Sequence, residues 1–274
     1  MFYSVRNRKC TIEACEHREG EADSTARCPQ KPILSNPTDR PGSRMNQIKT
    51  SELEKIAEDI WVSKAPHSFL GLHVDTRMTV IRLSSGKVLL HSPVPITPGL
   101  RASIDAIGPV GHIVCPNLFH HVYAQQALTT YPEARLYGPE KLHRKRRDLR
   151  FDAVLSEEPD PDWRSDLVSI SIAGSMLRET VFYHPASKTL ITSDLVENFK
   201  AHSHWLTRGY LKLNGMLGNV TWPPMMRVVY TNRRAARESI ARILALPFER
   251  VVVAHGDVIT DNARETLRKG LEWL

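Results

Sequence analysis

The chain has 274 residues, of which 41% are hydrophobic, and a formal net charge of +7, which is enough apolar content to bury the core of one large domain or two small ones. No apolar run approaches the roughly 18 residues that span a bilayer. The opening MFYSVRNRKCTIEAC has charges without a long apolar stretch behind them, so neither a spanning helix nor a secretory signal is expected, and the chain reads as cytoplasmic with no membrane partner.

The first fifty residues hold nine Lys/Arg and six Asp/Glu, leaving 28 against 24 for the rest. That mild excess suits solubility or an anionic small molecule and falls short of the basic stripe of a nucleic-acid reader. Residues 1–48, rich in Arg, Glu, Ser and Pro and lacking an apolar period, read as a disordered leader before a domain over 49–274.

Beyond the leader, IAEDIWVSKAP reads as a strand with Trp61 inward, and two more strands are expected at Leu70–Val74 and Met78–Leu83. Gly86 marks a turn before the apolar strand KVLLHSPVP, which must stop at its prolines because proline donates nothing to a ladder. Helix and strand then alternate: LRASIDAIG as helix, GHIVC as buried strand, HHVYAQQALTTYP as a helix ended by Pro132, and ARLYG as strand. The run HRKRR (143–147) reads as a solvated helix face, with a phosphate-binding patch as the alternative. A second set of strands follows in LVSISIAG, ETVFYHP and KTLITSD, the last two joined by a Pro-Ala-Ser-Lys turn. Residues 199–226 read as a helical insertion, either a substrate lid hinged at Gly209, Gly215 and Gly218 or a packing or dimer surface. A helix (NRRAARESIARILAL), a strand (RVVVAH) and a closing helix complete the chain.

Four polar residues stand at strand ends: His120 and His121 after GHIVC, Asp194 after KTLITS, and His255 closing RVVVAH. Singly, such residues usually cap or hydrogen-bond, and Asp194 before LVENF has the look of a helix N-cap. Together they read as a candidate set of metal ligands, with a metal-free relic as the alternative. Adjacent histidines diverge by roughly 100° on a helix, so His120 is either a ligand or an acid/base group beside the site. Asn117 is a substrate-orienting residue or a turn cap, and Glu179 a partner for a ligand histidine or a solvent-facing strand residue. His184 reads as a surface turn residue, and His202 and His204 as loop histidines. Cys115 reads as a small buried strand residue, with a nucleophile as the alternative. A zinc site from Cys10, Cys15, His17 and Cys28 matches no common finger spacing.

With PNLFHH, then ETVFYHPASKTLITSDL, then VVVAHGDVI in order, residues 51–274 resemble the metallo-β-lactamase superfamily, in detail a branch known mainly as a domain of unknown function. The resemblance implies an α/β fold, a four-layer αββα sandwich with metal ligands at one edge of two central sheets. It aligns PNLFHH with the family's HxHxDH loop, AGS with its Gly-His region, LITSDL with its bridging Asp and VVVAHGD with its final His. Pro116, Leu118 and Ser175 then stand where the first metal's ligands would be, and Ser92 replaces a customary Asp. The second site keeps ligands in His120, His121, Asp194 and His255, with His120 and Asp194 as catalytic candidates.

One divalent metal is therefore expected, zinc first and iron or manganese as alternatives. The function implied is a metal-dependent hydrolase of a small ester, thioester, lactone or phosphoester. The competing reading is a metal-free, non-enzymatic binding protein on the same fold, and nucleic-acid processing ranks third. A homodimer is compatible with the insertion.

Overall fold

Apolar residues alternate along the central strands so that each sheet presents one face to a helix layer and the other to its partner sheet. The architecture is seen in a computed structural model, which describes residues 52–274. The leader and the Cys10, Cys15, His17 and Cys28 group lie outside the described residues.

The first half comprises β1 (Glu54–Ala57), β2 (Ile60–Ala65), β3 (Ser68–Phe69), β4 (Leu72–His73), β5 (Thr76–Arg82), β6 (Val88–His91), α1 (Pro98–Asp105), β7 (Val110–Val114), α2 (Ala124–Thr130), β8 (Arg135–Gly138), α3 (Glu140–Lys145) and β9 (Ala153–Val154). The second comprises β10 (Val168–Ser171), β11 (Thr180–His184), β12 (Thr189–Ile191), β13 (Glu197–Asn198), α4 (Trp205–Leu213), β14 (Val220–Thr221), a 3-10 turn (Pro224–Val229), α5 (Arg233–Leu244), β15 (Arg250–Val252) and α6 (Ala263–Gly270). One sheet runs β1-β2-β5-β6-β7-β8-β9 and the other β10-β11-β12-β15. Ile81, Leu89, Val114 and Tyr137 of the first sheet meet Phe182 and Ile191 of the second in a shared core. The outer face of the first sheet packs on Leu100 and Ile104 of α1 and Ala124 and Ala127 of α2. That of the second packs on Ile240 and Ile243 of α5 and Leu267 of α6. Helix, sheet, sheet, helix is the expected four-layer sandwich.

Strand direction explains where polar residues gather. β6 and β7 are parallel, as are β12 and β15, so the residues that follow them, Ser92, Pro116–His121, Asp194 and His255, leave the sheets at C-terminal strand ends. β5 is antiparallel to β6 and β11 to β12, so Asp75 and Glu179, which precede them, arrive at the same edge.

Several local expectations are corrected. The first strand is a hairpin, β1 and β2, turned at Asp59 (φ 59°). The strand expected at Leu70–Val74 is a short hairpin, β3 and β4, turned at Leu70 (φ 49°) and Gly71 (φ 81°). The helix expected from His120 starts at Ala124. No helix follows Asp194: the chain continues into the short strand β13, which removes the N-cap role for that aspartate. His184 lies buried in β11, its Nδ1 2.7 Å from Ser187 Oγ, and is not a surface turn residue. Cys115 is fully buried and burial pushes its thiol up to about 12, which leaves it inert as a nucleophile.

Candidate metal centre

His120, Asp194 and His255 converge. One ligand atom from each lies within 4.8 Å of the others. Asp194 Oδ1 stands 3.1 Å from His120 Nε2 and 3.4 Å from His255 Nε2. Ligand atoms on a tetrahedral ion with bonds of about 2.1 Å lie roughly 3.4 Å apart, so these separations fit a bound cation. They also fit direct hydrogen bonds.

Each of the three is held from behind. His255 Nδ1 donates to the carbonyl of Asp75 at 2.6 Å. A carbonyl only accepts, so the Nδ1 proton is fixed and a neutral ring turns its Nε2 lone pair toward Asp194. His120 Nδ1 is 2.7 Å from Ser92 Oγ, a hydroxyl able to donate or accept as the ring changes tautomer. Asn117 gives Nδ2 to Asp194 Oδ2 at 2.7 Å, leaving Oδ1 to the histidines. Asn117 Oδ1 also accepts the backbone N–H groups of Phe119 and His120. This side chain therefore both caps the turn and aligns the carboxylate.

Glu179 does not meet a ligand histidine. Its carboxylate accepts the backbone N–H groups of Ser193 at 2.7 Å and Asp194 at 3.0 Å, fixing the loop that carries Asp194. Burial, then the charge of Asp194, pushes Glu179 up to about 8. Burial alone would raise the Asp194 carboxyl, yet His120 and His255 outweigh it and hold it well below the usual range. Burial opposes charge on His255, but Asp194, Glu197 and the Asp75 carbonyl raise it to about 9. A metal entering here must displace that proton.

His121 departs from expectation. Its Nδ1 is 2.9 Å from Arg146 Nη1, and it is not among the residues whose ligand atoms converge. Burial, then Lys145 and Arg146, lowers it to about 4. The two adjacent rings diverge at the turn preceding α2, and one guanidinium captures the second. The basic run is thus not wholly a solvated face, since Arg146 also holds Asp148 at 2.7 Å and Lys145 donates to the Leu118 carbonyl at 2.7 Å.

The trio opens into a pocket of about 440 Å³, with walls that include Phe69, Leu72, Val74, Leu211, Trp222 and Met226. The β3–β4 hairpin and α4 close over it. His73 N donates to Thr207 Oγ1 at 2.9 Å, and the rings of His73 and His204 stack at 4.2 Å. His204 caps α4 and accepts from Thr207 N, while His202 Nδ1 accepts from His204 N at 3.1 Å.

Two pocket residues escaped the sequence reading. Glu197 sits three residues after Asp194, and burial raises it to about 7. His67 precedes the hairpin and is lowered by burial and by His255 and His120. Neither lies in a recognisable motif. Arg77, one of two arginines in β5, precedes the strand expected at Met78–Leu83 and was missed as well. Its guanidinium is buried and binds the carbonyls of Val253 and, at 2.6 Å, Gly256, on either side of His255.

Residues 57–143 match the family model of a domain of unknown function, DUF4336. No curated protein matches the chain. Among solved structures, a metallo-β-lactamase from Pontibacter korlensis is similar at TM-score 0.57 and 15% identity, over 81% of this chain and 98% of that one. One from Erythrobacter litoralis has TM-score 0.59 and 12% identity, over 81% and 96%. This chain has the metallo-β-lactamase fold. A metal-soaked flavodiiron core from Synechocystis sp. PCC6803 is also similar, at TM-score 0.56 and 14% identity over 81% of this chain and 60% of that one. Ser175 is buried with its Oγ accepting Leu177 N, Pro116 and Leu118 offer no side-chain ligand, and among the described residues the metal-ligating donors that cluster are His120, Asp194 and His255.

Proposed function

We propose that the protein is a hydrolase using one divalent metal held by His120, Asp194 and His255, acting on a small ester, thioester, lactone or phosphoester. The observation carrying this reading is the convergence of the three ligand atoms within 4.8 Å at the floor of a walled pocket. Two imidazoles and one carboxylate form a donor set used by catalytic zinc and by non-haem iron, and zinc is the first choice. Bound there, such an ion would acidify a coordinated water to a pKa of about 7 and polarise a substrate carbonyl. The chain's own residues set the stage. Ser92 and Asp75 fix the two rings, Asn117 reserves one oxygen of Asp194, and the hairpin and α4 limit water. His121, tied to Arg146, forms pocket wall in this reading instead of a ligand, and His120 is a ligand before it is an acid or base. The apolar walls favour carboxylic esters, thioesters and lactones over phosphoesters, because a phosphate dianion in an apolar pocket loses hydration without return.

The same 3.1 and 3.4 Å contacts satisfy Asp194 without an ion, and this supports the second reading, a metal-free binding protein. Metal analysis separates the two. After zinc or iron supplementation the purified chain is expected to hold about one equivalent and His255→Ala under about a tenth. Less than about a tenth of an equivalent in the unaltered chain overturns the hydrolase reading.

A further inference from the structure

The segment from Phe199 to Val229 contains Lys200, Arg208, Lys212 and Arg227 and neither aspartate nor glutamate. Its helix, α4, turns Thr207 and Leu211 inward, and Leu211 and Tyr210 line the pocket. At 100° per residue, Arg208, Lys212, Trp205, Gly209, Leu213 and Leu206 occupy one arc of about 160° on the opposite side, and all are exposed. Trp205 is 73% and Leu213 87% exposed. Among the described residues, Arg208 and Lys212 have no ion-pair partner.

A second set of exposed apolar side chains surrounds the pocket mouth. Leu70 at the hairpin tip is 78% exposed, and Phe69, Phe119, Val122 and Met225 are exposed as well. All five line the pocket. Met225 Sδ accepts from Tyr210 OH at 3.4 Å, joining the 3-10 turn to α4. Lys145 sits at the same mouth, 5.6 Å over the Phe119 ring. Protruding Trp, Leu and Met side chains beside unpaired cations match an interfacial membrane contact: the apolar groups enter the acyl boundary while Lys and Arg meet anionic headgroups. A nucleic-acid face would have cations and stacking rings without need of exposed Leu70 and Leu213.

We propose that the pocket mouth, through α4 and the β3–β4 hairpin tip, docks on the surface of an anionic lipid bilayer. Substrate then enters an apolar pocket directly from the interface. This departs from the expectation of no membrane partner, which rested on the lack of a spanning segment and says nothing of peripheral contact. It does not depend on the metal.

The test is flotation of the full chain with vesicles of phosphatidylcholine containing about a quarter phosphatidylglycerol, against pure phosphatidylcholine, with chelator present. Binding is expected only to the anionic vesicles. Trp205→Ala with Leu213→Ala is expected to weaken it at least about tenfold, since each removes largely exposed apolar surface. Arg208→Glu with Lys212→Glu is expected to abolish it, each Lys or Arg contributing roughly fivefold. Circular dichroism of both double variants should match the unaltered chain. No binding to either vesicle overturns the proposal, as does undiminished binding by both variants. So does a chain that self-associates through Trp205 or retains single-stranded RNA while ignoring vesicles.

Discussion

Asp75 accepts the Nδ1 proton of His255 on its main-chain carbonyl at 2.6 Å, and it does so from a left-handed conformation (φ 45°). Ser92, which contacts the other histidine, His120, is also left-handed (φ 56°). Such backbone costs of order 1 kcal/mol or more at a residue other than glycine, and persists where the surroundings over-determine it. Here it aims a carbonyl and a hydroxyl at the two imidazoles whose other nitrogens face Asp194.

Ser92 can be tested for this role. Ser92→Ala removes the hydrogen bond to Nδ1 on the far side of His120, and loss of such a partner typically lowers metal affinity by about 10- to 100-fold. Stability should change by no more than about 1 kcal/mol. Ser92→Asp should instead raise affinity, because a carboxylate accepts firmly from Nδ1 and aspartate tolerates this φ better than most residues. Competition with a chelating dye reads both values. Equal affinity in all three proteins shows that Ser92 does not support the ligand.

Arg77 anchors the opposite wall. Burial lowers its guanidinium to about 10, which still leaves it charged at neutral pH and bound to the carbonyls on either side of His255. Arg77→Met would strand two acceptors and should cost about 2–4 kcal/mol. Arg77→Lys, with a single point of donation, should recover only part of it. Urea unfolding at unchanged slope measures the cost. A loss under about 0.5 kcal/mol would mean that solvent or relaxation satisfies these carbonyls.

Much of this arrangement is legible in the residues. Apolar runs such as VLLH, GHIVC and KTLI mark central strands, and chemistry collects where those strands end. His121 was not separable from His120 in this way, because adjacency says that two rings diverge and not which one turns inward. That depends on Arg146, distant in sequence. The helix after them starts late because Asn117 Oδ1 accepts the N–H groups of Phe119 and His120 and holds the chain in a turn. The hairpin over the pocket is hidden for a different reason. Its strands are two residues each, too short for any period, and only Gly71 signals the reversal.

His91 predicts a response to acid. It is fully buried in β6 against Phe182, and burial, with a contribution from His120, lowers it to about 3. Below pH 6.5 the unfolded chain takes up this proton while the folded chain does not, so stability falls as pH drops toward about 3. The slope is about 1.4 kcal/mol per pH unit, or roughly 2–3 kcal/mol between pH 6.5 and 4.5. His112, His121 and His184 are also lowered and act in the same direction. His91→Leu should flatten the profile by its own share, as measured by urea midpoints across that window. An unchanged slope would show that His91 gains its proton in the folded state.

Two glycines offer a matched contrast. Gly256, directly after His255, has φ +88°, and a Cβ there would stand 2.0 Å from the carbonyl oxygen of Asn198. Neither atom can yield cheaply, because Asn198 accepts the N–H of Asp257 at 2.6 Å and belongs to β13. Gly218 has a similar φ of +78° with nothing within 4 Å. Gly218→Ala therefore isolates the conformational penalty, about 1 kcal/mol. Gly256→Ala adds a backbone collision and should cost at least about 3 kcal/mol while displacing His255. Thermal melts of the two variants compare the costs, and metal content reports the displacement. Equal melting temperatures would mean that the β13 backbone moves freely and that the close approach of Asn198 to Gly256 does not position the ligand.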